Sequence, residues 1–239
     1  IEFVRLFADA GVPPGVLNLV IGSGSEAGDA LVTDPRIDAI SFTGSTKVGK
    51  TINRKAAENL TRTQLELGGK NAVVVLEDAD MEQAAEDTVA AAFGTAGQKC
   101  TATSRAIVPH DIADDFVDLL VQKASELNVG DGFEEDTDMG PVTGSRQMDK
   151  ILGYIEEGTE EGAELVLGGQ KLTGEAYDDG CFIAPTIFDH VKPDMTIAQE
   201  EIFGPVLAVI KASDFEHALE LANDVEYGLS ASIVTQDLS

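Results

Sequence analysis

AISFTGSTKVGKTINRKAAENLTRTQLELGG, residues 39–69, is the stretch from which the fold is read. Ala39–Phe42 is a short apolar run suited to a buried strand, and Thr43-Gly44-Ser45-Thr46 is a turn that ends it. A helix is expected over about Lys47–Asn59, and Arg62–Leu67 reads as another strand that gives out into Gly68-Gly69. Two strands separated by a helix of this length require a crossover, so they lie parallel.

Upstream, Gly11-Val12-Pro13-Pro14-Gly15 is a turn. Val16–Ile21 reads as a further buried strand, too apolar and too short for a surface helix. Gly22–Gly28 and a helix from about Glu26 to Val32 follow it. Strands and helices in this alternation describe an α/β fold with a Rossmann-like layer. Phe3, Phe7 and Ala10 mark the apolar side of a helix already under way at Ile1. Together with the missing initiator Met, this leads us to expect an internal piece of a longer polypeptide.

Beyond Lys70 the pattern begins again. Asn71–Leu76 reads as a strand, and Asp80 with Gln83 reads as a capping box opening an Ala-rich helix that ends at Phe93-Gly94. Ala106–Pro109 is strand-like, and Ile112–Asn128 is amphipathic, with Phe116, Leu119, Leu120, Ala124 and Leu127 on one side. A further helix carries Met148, Ile151, Leu152 and Ile155. Strands are expected at Glu164–Leu167, Phe182–Ile187, Val206–Ile210 and Ser230–Val234, with a helix over about Phe215–Asn223. A boundary near Gly69 divides the chain into domains 1–69 and 70–239.

Hydrophobic residues make up 43% and charged residues 25% of the 239, as in ordinary soluble domains. The sign balance is unusual: 16 Lys+Arg stand against 43 Asp+Glu, a formal charge of −27. Such a surface repels nucleic acid and anionic membranes, which excludes both as expected partners. The acids are spread along the chain between apolar runs, which fits a solvated surface adapted to high salt in a halophile's cytoplasm. Cys100 and Cys181 do not make a disulfide framework, no apolar run reaches the length of a membrane span, and no signal peptide opens the chain.

Two reactive groups stand on glycine-flanked turns at the ends of regular elements. Glu66 precedes Gly68-Gly69, and Cys100 follows Gly94-Thr95-Ala96-Gly97-Gln98-Lys99. A lone cysteine is commonly an inert buried thiol. Here Lys99 and Arg105 lie near it in sequence, and nearby cations favour the reactive thiolate. Cys181, in Asp-Asp-Gly-Cys-Phe, reads as structural. Thr43-Gly44-Ser45-Thr46 is equally an anion site at a helix N-terminus or a simple N-cap by Ser45. Gly22–Gly28 is GxGxxxG rather than GxGxxG, so it reads first as a tight turn, with a place beside a dinucleotide still open. His110, His190 and His217 form no metal-ligand spacing and offer no convincing base for the cysteine.

Glu66-Leu-Gly-Gly-Lys70, Gly97-Gln-Lys-Cys100, Phe42-Thr-Gly-Ser-Thr46 and Glu201-Ile-Phe-Gly-Pro205 stand in the order and rough spacing of the NAD(P)-dependent aldehyde dehydrogenase superfamily. Gly180-Cys-Phe-Ile-Ala-Pro-Thr186 and Asn223…Tyr227-Gly-Leu229 resemble its minor motifs. The resemblance implies the later part of a Rossmann-like cofactor domain followed by an α/β catalytic domain. It also implies NAD or NADP as cofactor, a small aldehyde as substrate, no metal, and a parent homodimer or homotetramer.

Carried over residue by residue, the resemblance makes Cys100 the nucleophile and Glu66 the base that activates water. The backbone N–H of Cys100 becomes an oxyanion donor, Ser45 a pyrophosphate contact, and Val48 a neighbour of the adenine. Glu201 binds the nicotinamide-side ribose, Phe203 packs beside it, and Gly44 and Leu67 line the same crevice. An oxyanion asparagine, a ribose lysine and a pairing strand are expected outside residues 1–239, so these residues alone are expected to be inactive or unfolded.

Gly97–Arg105 looks most like 2-oxoglutarate semialdehyde (2,5-dioxopentanoate) dehydrogenases of sugar-acid breakdown. Succinate semialdehyde or another aliphatic aldehyde, a CoA-acylating relative and a catalytically silent relative are the alternatives. The acidic composition carries its own expectation. The melting temperature should rise between about 0.1 M and 2 M KCl, as the Debye length falls from ~10 Å to under ~3 Å; a flat or falling curve would remove the high-salt reading.

Overall fold

The computed structural model describes residues 1–237 and divides into two compact units, Ile1–Leu67 and Gly68 onward. Unit 1 opens with α1 (Glu2–Asp9), which buries none of its residues. A π-helical turn over Gly24–Gly28 leads into α2 (Asp29–Thr33), so the helix expected from Glu26 is α-helical only from Asp29. β1 (Ala39–Thr43), α3 (Thr46–Ala56) and β2 (Arg62–Glu66) form a βαβ unit. The two strands are parallel, in register from Ala39 opposite Arg62 to Thr43 opposite Glu66. α3 buries Gly49, Ile52 and Ala56, one stripe at helical spacing. A 3-10 turn over Ala57–Asn59 and a left-handed Leu60 (φ 56°) end it.

Val16–Ile21 is not a strand. It runs as turn and irregular backbone, and Val16, Val20 and Ile21 are exposed at 70%, 61% and 74%. Apolarity suits a segment to a sheet, but a strand also needs a neighbour for its N–H and C=O groups. In unit 1 β1 and β2 pair with each other and leave this run without a ladder.

Unit 2 is built on β3 (Asn71–Val75), β4 (Thr103–Pro109), β5 (Glu164–Leu167), β6 (Thr186–Asp189), β7 (Val206–Ala212) and β8 (Ala231–Val234). They form one sheet in the order β5-β6-β7-β4-β3-β8, parallel except for β5 against β6. Every residue of β3 is buried, as the unbroken Ala-Val-Val-Val run requires of a strand covered on both faces. The connecting helices are α4 (Met81–Phe93), α5 (His110–Ser125), α6 (Ser145–Glu160), α7 (Thr196–Gln199) and α8 (Phe215–Asn223). α4, α5 and α8 pack on the central strands β4 and β7. No helix among the described residues is long and apolar enough to cross a membrane.

Two local expectations resolve differently. The Asp80 carboxylate accepts the Gln83 N–H at 3.2 Å, but the Gln83 side chain turns forward to Asp87 at 3.0 Å instead of closing the capping box. The strand expected from Phe182 begins at Thr186, because Pro185 has no N–H to give a ladder. Phe116, fully buried in α5, sits in the core of unit 2. Phe116→Ala should lower stability by about 3–5 kcal/mol. Urea melts of the two proteins would show it, and a loss below about 1 kcal/mol would mean that the core closes around the gap.

Candidate active site

The cysteine turn in unit 2 begins where α4 stops. Gly94–Gly97 forms a 3-10 turn in which Thr95 (φ 59°), Ala96 (φ 52°) and Gly97 (φ 66°) are all left-handed. Two non-glycine residues in that region carry backbone strain that the surroundings must hold. The turn delivers Cys100 exposed to solvent. Asn71, the buried first residue of β3, reaches across to it. Its Nδ2 donates to the Cys100 carbonyl at 2.7 Å and to the Ala102 carbonyl at 2.9 Å, while its Oδ1 accepts the Ser230 N–H at 3.1 Å.

Glycines let the main chain close around this turn. A Cβ at Gly97 would lie 2.1 Å from the Gly204 carbonyl oxygen, and one at Gly69 would lie 2.9 Å from the Cys100 carbonyl. The Glu201 carboxylate accepts the Gly69 N–H at 3.3 Å and lies against Gly68, where a Cβ would come within 2.1 Å of Oε2. Phe203 is itself left-handed, at φ 59°. α6 secures this segment from one face. Gln147 Nε2 donates to the Ile202 and Phe203 carbonyls at 3.2 and 2.9 Å, and Lys150 Nζ donates to the Glu201 carbonyl at 3.2 Å. Lys150 also lies over the Tyr154 ring, 5.4 Å from its centroid, and the Tyr154 hydroxyl donates to Glu200 at 2.6 Å. Burial, and then that carboxylate, push the Tyr154 hydroxyl pKa up.

Arg105 does not serve the thiol as its place in the sequence implies. Its guanidinium is buried and donates to the Lys70, Leu221 and Ala222 carbonyls at 3.1, 2.8 and 2.8 Å, closing the C-terminal end of α8. Lys70 is 2% exposed, and its Nζ has no hydrogen-bond partner among the described residues. Burial, then the neighbouring Arg105, pull its pKa down to about 7, against the opposing pull of Glu201 and Glu200.

In unit 1 the Ser45 hydroxyl accepts the Val48 N–H at 3.4 Å, so the N-cap is formed. Val48, 46% exposed, lines a cavity of about 560 Å³ together with Gly24, Ser25, Val32, Phe42 and Ile52. The GxGxxxG turn therefore borders the same cavity as α3. The Phe42 ring fills the space where Gly44 would carry a Cβ, and Leu67 packs on Gly49 in the same way. Glu66 ends β2 exposed, and its carbonyl accepts the Gly44 N–H at 3.1 Å. The structure thus gathers Gly44, Ser45, Val48, Glu66 and Leu67 in unit 1, and Cys100, Glu201 and Phe203 in unit 2.

A match to the aldehyde dehydrogenase family spans residues 1–239. The chain belongs to that family. It is 48% identical over 237 residues to an alpha-ketoglutaric semialdehyde dehydrogenase of Bacillus subtilis (strain 168), covering 99% of this chain and 49% of that protein. It is also 48% identical over 244 residues to a 1-pyrroline-5-carboxylate dehydrogenase of Geobacillus kaustophilus (strain HTA426), covering 99% and 46%. Among solved structures, a Staphylococcus aureus betaine aldehyde dehydrogenase point mutant in complex with NAD+ superposes with a TM-score of 0.97 at 38% identity, covering 99% of this chain and 48% of that one. The chain spans about half the length of the curated relatives it matches.

For this aldehyde dehydrogenase chain, reading the motifs alone misses Asn71, Gln147, Lys150 and the buried Lys70. Lys70 stands inside the Glu-Leu-Gly-Gly-Lys motif, and its place just before the Asn-Ala-Val-Val-Val strand is the one local sign of its burial. Its titration gives a direct check. Below pH 7 Lys70 is charged in both states; between about 7 and its ordinary 10.5 the unfolded chain keeps a proton that the folded chain has lost. Stability should therefore rise with pH across that window. In Lys70→Met that rise should disappear from urea midpoints; an equal slope in both proteins would refute the assignment.

Proposed function

We propose that the polypeptide carrying this chain oxidises a small semialdehyde, 2-oxoglutarate semialdehyde for preference, to its carboxylic acid with NAD or NADP. The observation that carries the reading is the exposed Cys100 on a turn pinned by Asn71, beside the Glu201–Gly204 segment. Residues 1–69 act as the later part of the cofactor domain and 70–239 as catalytic domain. The net charge of −27 fits a cytoplasm of high salt, and the parent assembles as a homodimer or homotetramer.

The residues fit a dinucleotide. Unit 1 offers a cavity of about 560 Å³ with Val48 at its wall, and a helix N-terminus at Ser45. Ser45 and Gly44 hold the pyrophosphate side, with Val48 and Leu67 on the apolar side. Glu201 takes the ribose hydroxyls through a carboxylate that the Gly69 N–H holds, on a main chain that Lys150 holds at the Glu201 carbonyl, and Phe203 packs beside it. The bound cofactor supplies a hydride acceptor.

The thiolate of Cys100 attacks the aldehyde carbon, forming a C–S bond and turning the carbonyl oxygen into an oxyanion. The Cys100 N–H donates to that oxyanion. Collapse of the thiohemiacetal re-forms the C=O as the hydride departs, leaving a thioester on Cys100. Glu66 then takes a proton from water, whose oxygen attacks the thioester carbon; the C–S bond breaks and the acid is released.

Glu66 favours hydrolysis over transfer to CoA, because the thioester then needs a positioned base. A second substrate reading, 1-pyrroline-5-carboxylate, rests on the equal identity to the 1-pyrroline-5-carboxylate dehydrogenase. In the full-length polypeptide, Glu66→Gln should accumulate an acyl adduct on Cys100 by intact mass, with turnover reduced by about 10²–10⁴. The wild type, run on a panel of aldehydes with each cofactor, should prefer the five-carbon 2-oxo substrate. Unchanged turnover in Glu66→Gln, or CoA-dependent product release, would replace the hydrolytic mechanism.

A further inference from the structure

Asn71 does more than fill the start of β3. The β3–β4 register slips between Asn71 and Ala72, which pair with Thr103 and Arg105 and leave Ser104 unopposed. At that irregularity the Asn71 side chain leaves the ladder and places both its donor protons and its acceptor oxygen elsewhere. Both Nδ2 protons go to carbonyls of the cysteine turn, at Cys100 and Ala102, and Oδ1 takes the Ser230 N–H at the entrance of β8. Ser104 donates back to the Asn71 carbonyl at 3.4 Å.

Fixing the Cys100 carbonyl fixes the peptide plane that follows Cys100, and so the direction from which its Cβ and sulfur emerge. The turn cannot hold that geometry by itself: it is exposed from Lys99 to Thr101, contains two strained non-glycine residues, and forms no regular ladder until Thr103. A carbonyl released there is free to rotate toward the sulfur or toward an oxyanion formed beside it, and either approach sets like partial charges together. An amide meets the need for two donors and one opposed acceptor. Aspartate has the shape but no donors, and serine has one donor on a shorter arm. The space is closed as well, since a Cβ on Gly69 would stand 2.7 Å from Asn71 Oδ1.

We propose that Asn71 is a positioning residue for the nucleophile, holding the Cys100 peptide in its reactive orientation and tying it to the start of β8. This rests on Cys100 being the nucleophile. The test uses Asn71→Asp and Asn71→Ser in the full-length polypeptide, with two readouts. In steady-state kinetics with aldehyde and cofactor, Asn71→Asp should lower kcat by about 10²-fold, with dinucleotide affinity unchanged by NADH fluorescence titration. Asn71→Ser, keeping one donor, should fall between it and the wild type.

The second readout is alkylation by iodoacetamide, followed by peptide mass at Cys100 with half-buried Cys181 as internal reference. The pH–rate profile of Cys100 in Asn71→Asp should move up by about one unit, because a carboxylate replaces two donors beside the turn, while that of Cys181 stays put. This arm needs no turnover. A shifted Cys100 profile in a protein that oxidises no aldehyde would uphold the positioning role and count against the proposed reaction instead. The proposal is overturned if kcat and the Cys100 profile stay at wild-type values, if cofactor affinity and melting temperature fall in step with kcat, or if neither variant folds.

Discussion

A Cβ at Gly97 would stand 2.1 Å from the Gly204 carbonyl, and a Cβ at Gly68 equally close to the Glu201 carboxylate. Around the cysteine turn of unit 2, glycine main chain meets main chain at Gly204 and Cys100 and a carboxylate at Glu201, with no room for a further side chain between. Close packing of this kind gives precise placement without contacts that have to be remade, since glycine backbone has few atoms to misplace. It also removes the side chains that would hold each segment, so the holding is passed to others. Asn71 grips the turn from β3, Gln147 and Lys150 grip the 201–203 segment from α6, and Arg105 closes the end of α8. Each does so through carbonyl oxygens, the acceptors that an irregular segment leaves unpaired.

That division explains what could be read from the residues in order. β1, α3 and β2, the long helices of unit 2 and the strands β3 and β7 lie where apolar periodicity, caps and glycines place them, because those signals act within one or two turns of chain. Ser45 and Asp80 cap their helices as their positions imply. Val16–Ile21 failed for the complementary reason: composition speaks to burial, and pairing depends on a neighbour that no local pattern reveals. Asn71 was invisible as a site residue because its partners are 29, 31 and 159 positions away. By physics alone Glu66 and Glu201 passed for ordinary carboxylates, whereas Cys100 already stood out as a thiol on a glycine-flanked turn with cations nearby in sequence.

The electrostatics run against the surface. With 16 basic residues against 43 acidic ones, cations are scarce, yet Lys70 and Lys150 lie about the Glu201 segment and Arg105 lies beside Lys70. Arg105 serves carbonyls, and Lys150 bridges a carbonyl and an aromatic ring. Of the three, Lys70 alone has no hydrogen-bond partner among the described residues, with its charge opposed by burial and by Arg105 and favoured by Glu201 and Glu200. An ammonium so placed is costly to keep charged, and the environment answers by lowering its pKa rather than by supplying an acceptor.

The proposed ligands are themselves anions: a 2-oxo semialdehyde with a carboxylate, and a dinucleotide with its pyrophosphate. A protein of charge −27 repels both at long range in dilute salt. Near 1 M salt the Debye length is ~3 Å, so the distant acids cease to act while contacts within a few ångströms persist. What still acts at short range is the local set: the helix N-terminus at Ser45 in unit 1, and Lys150 on the Glu201 segment in unit 2. At high salt an acidic surface is thereby screened away from such short-range groups, which continue to act.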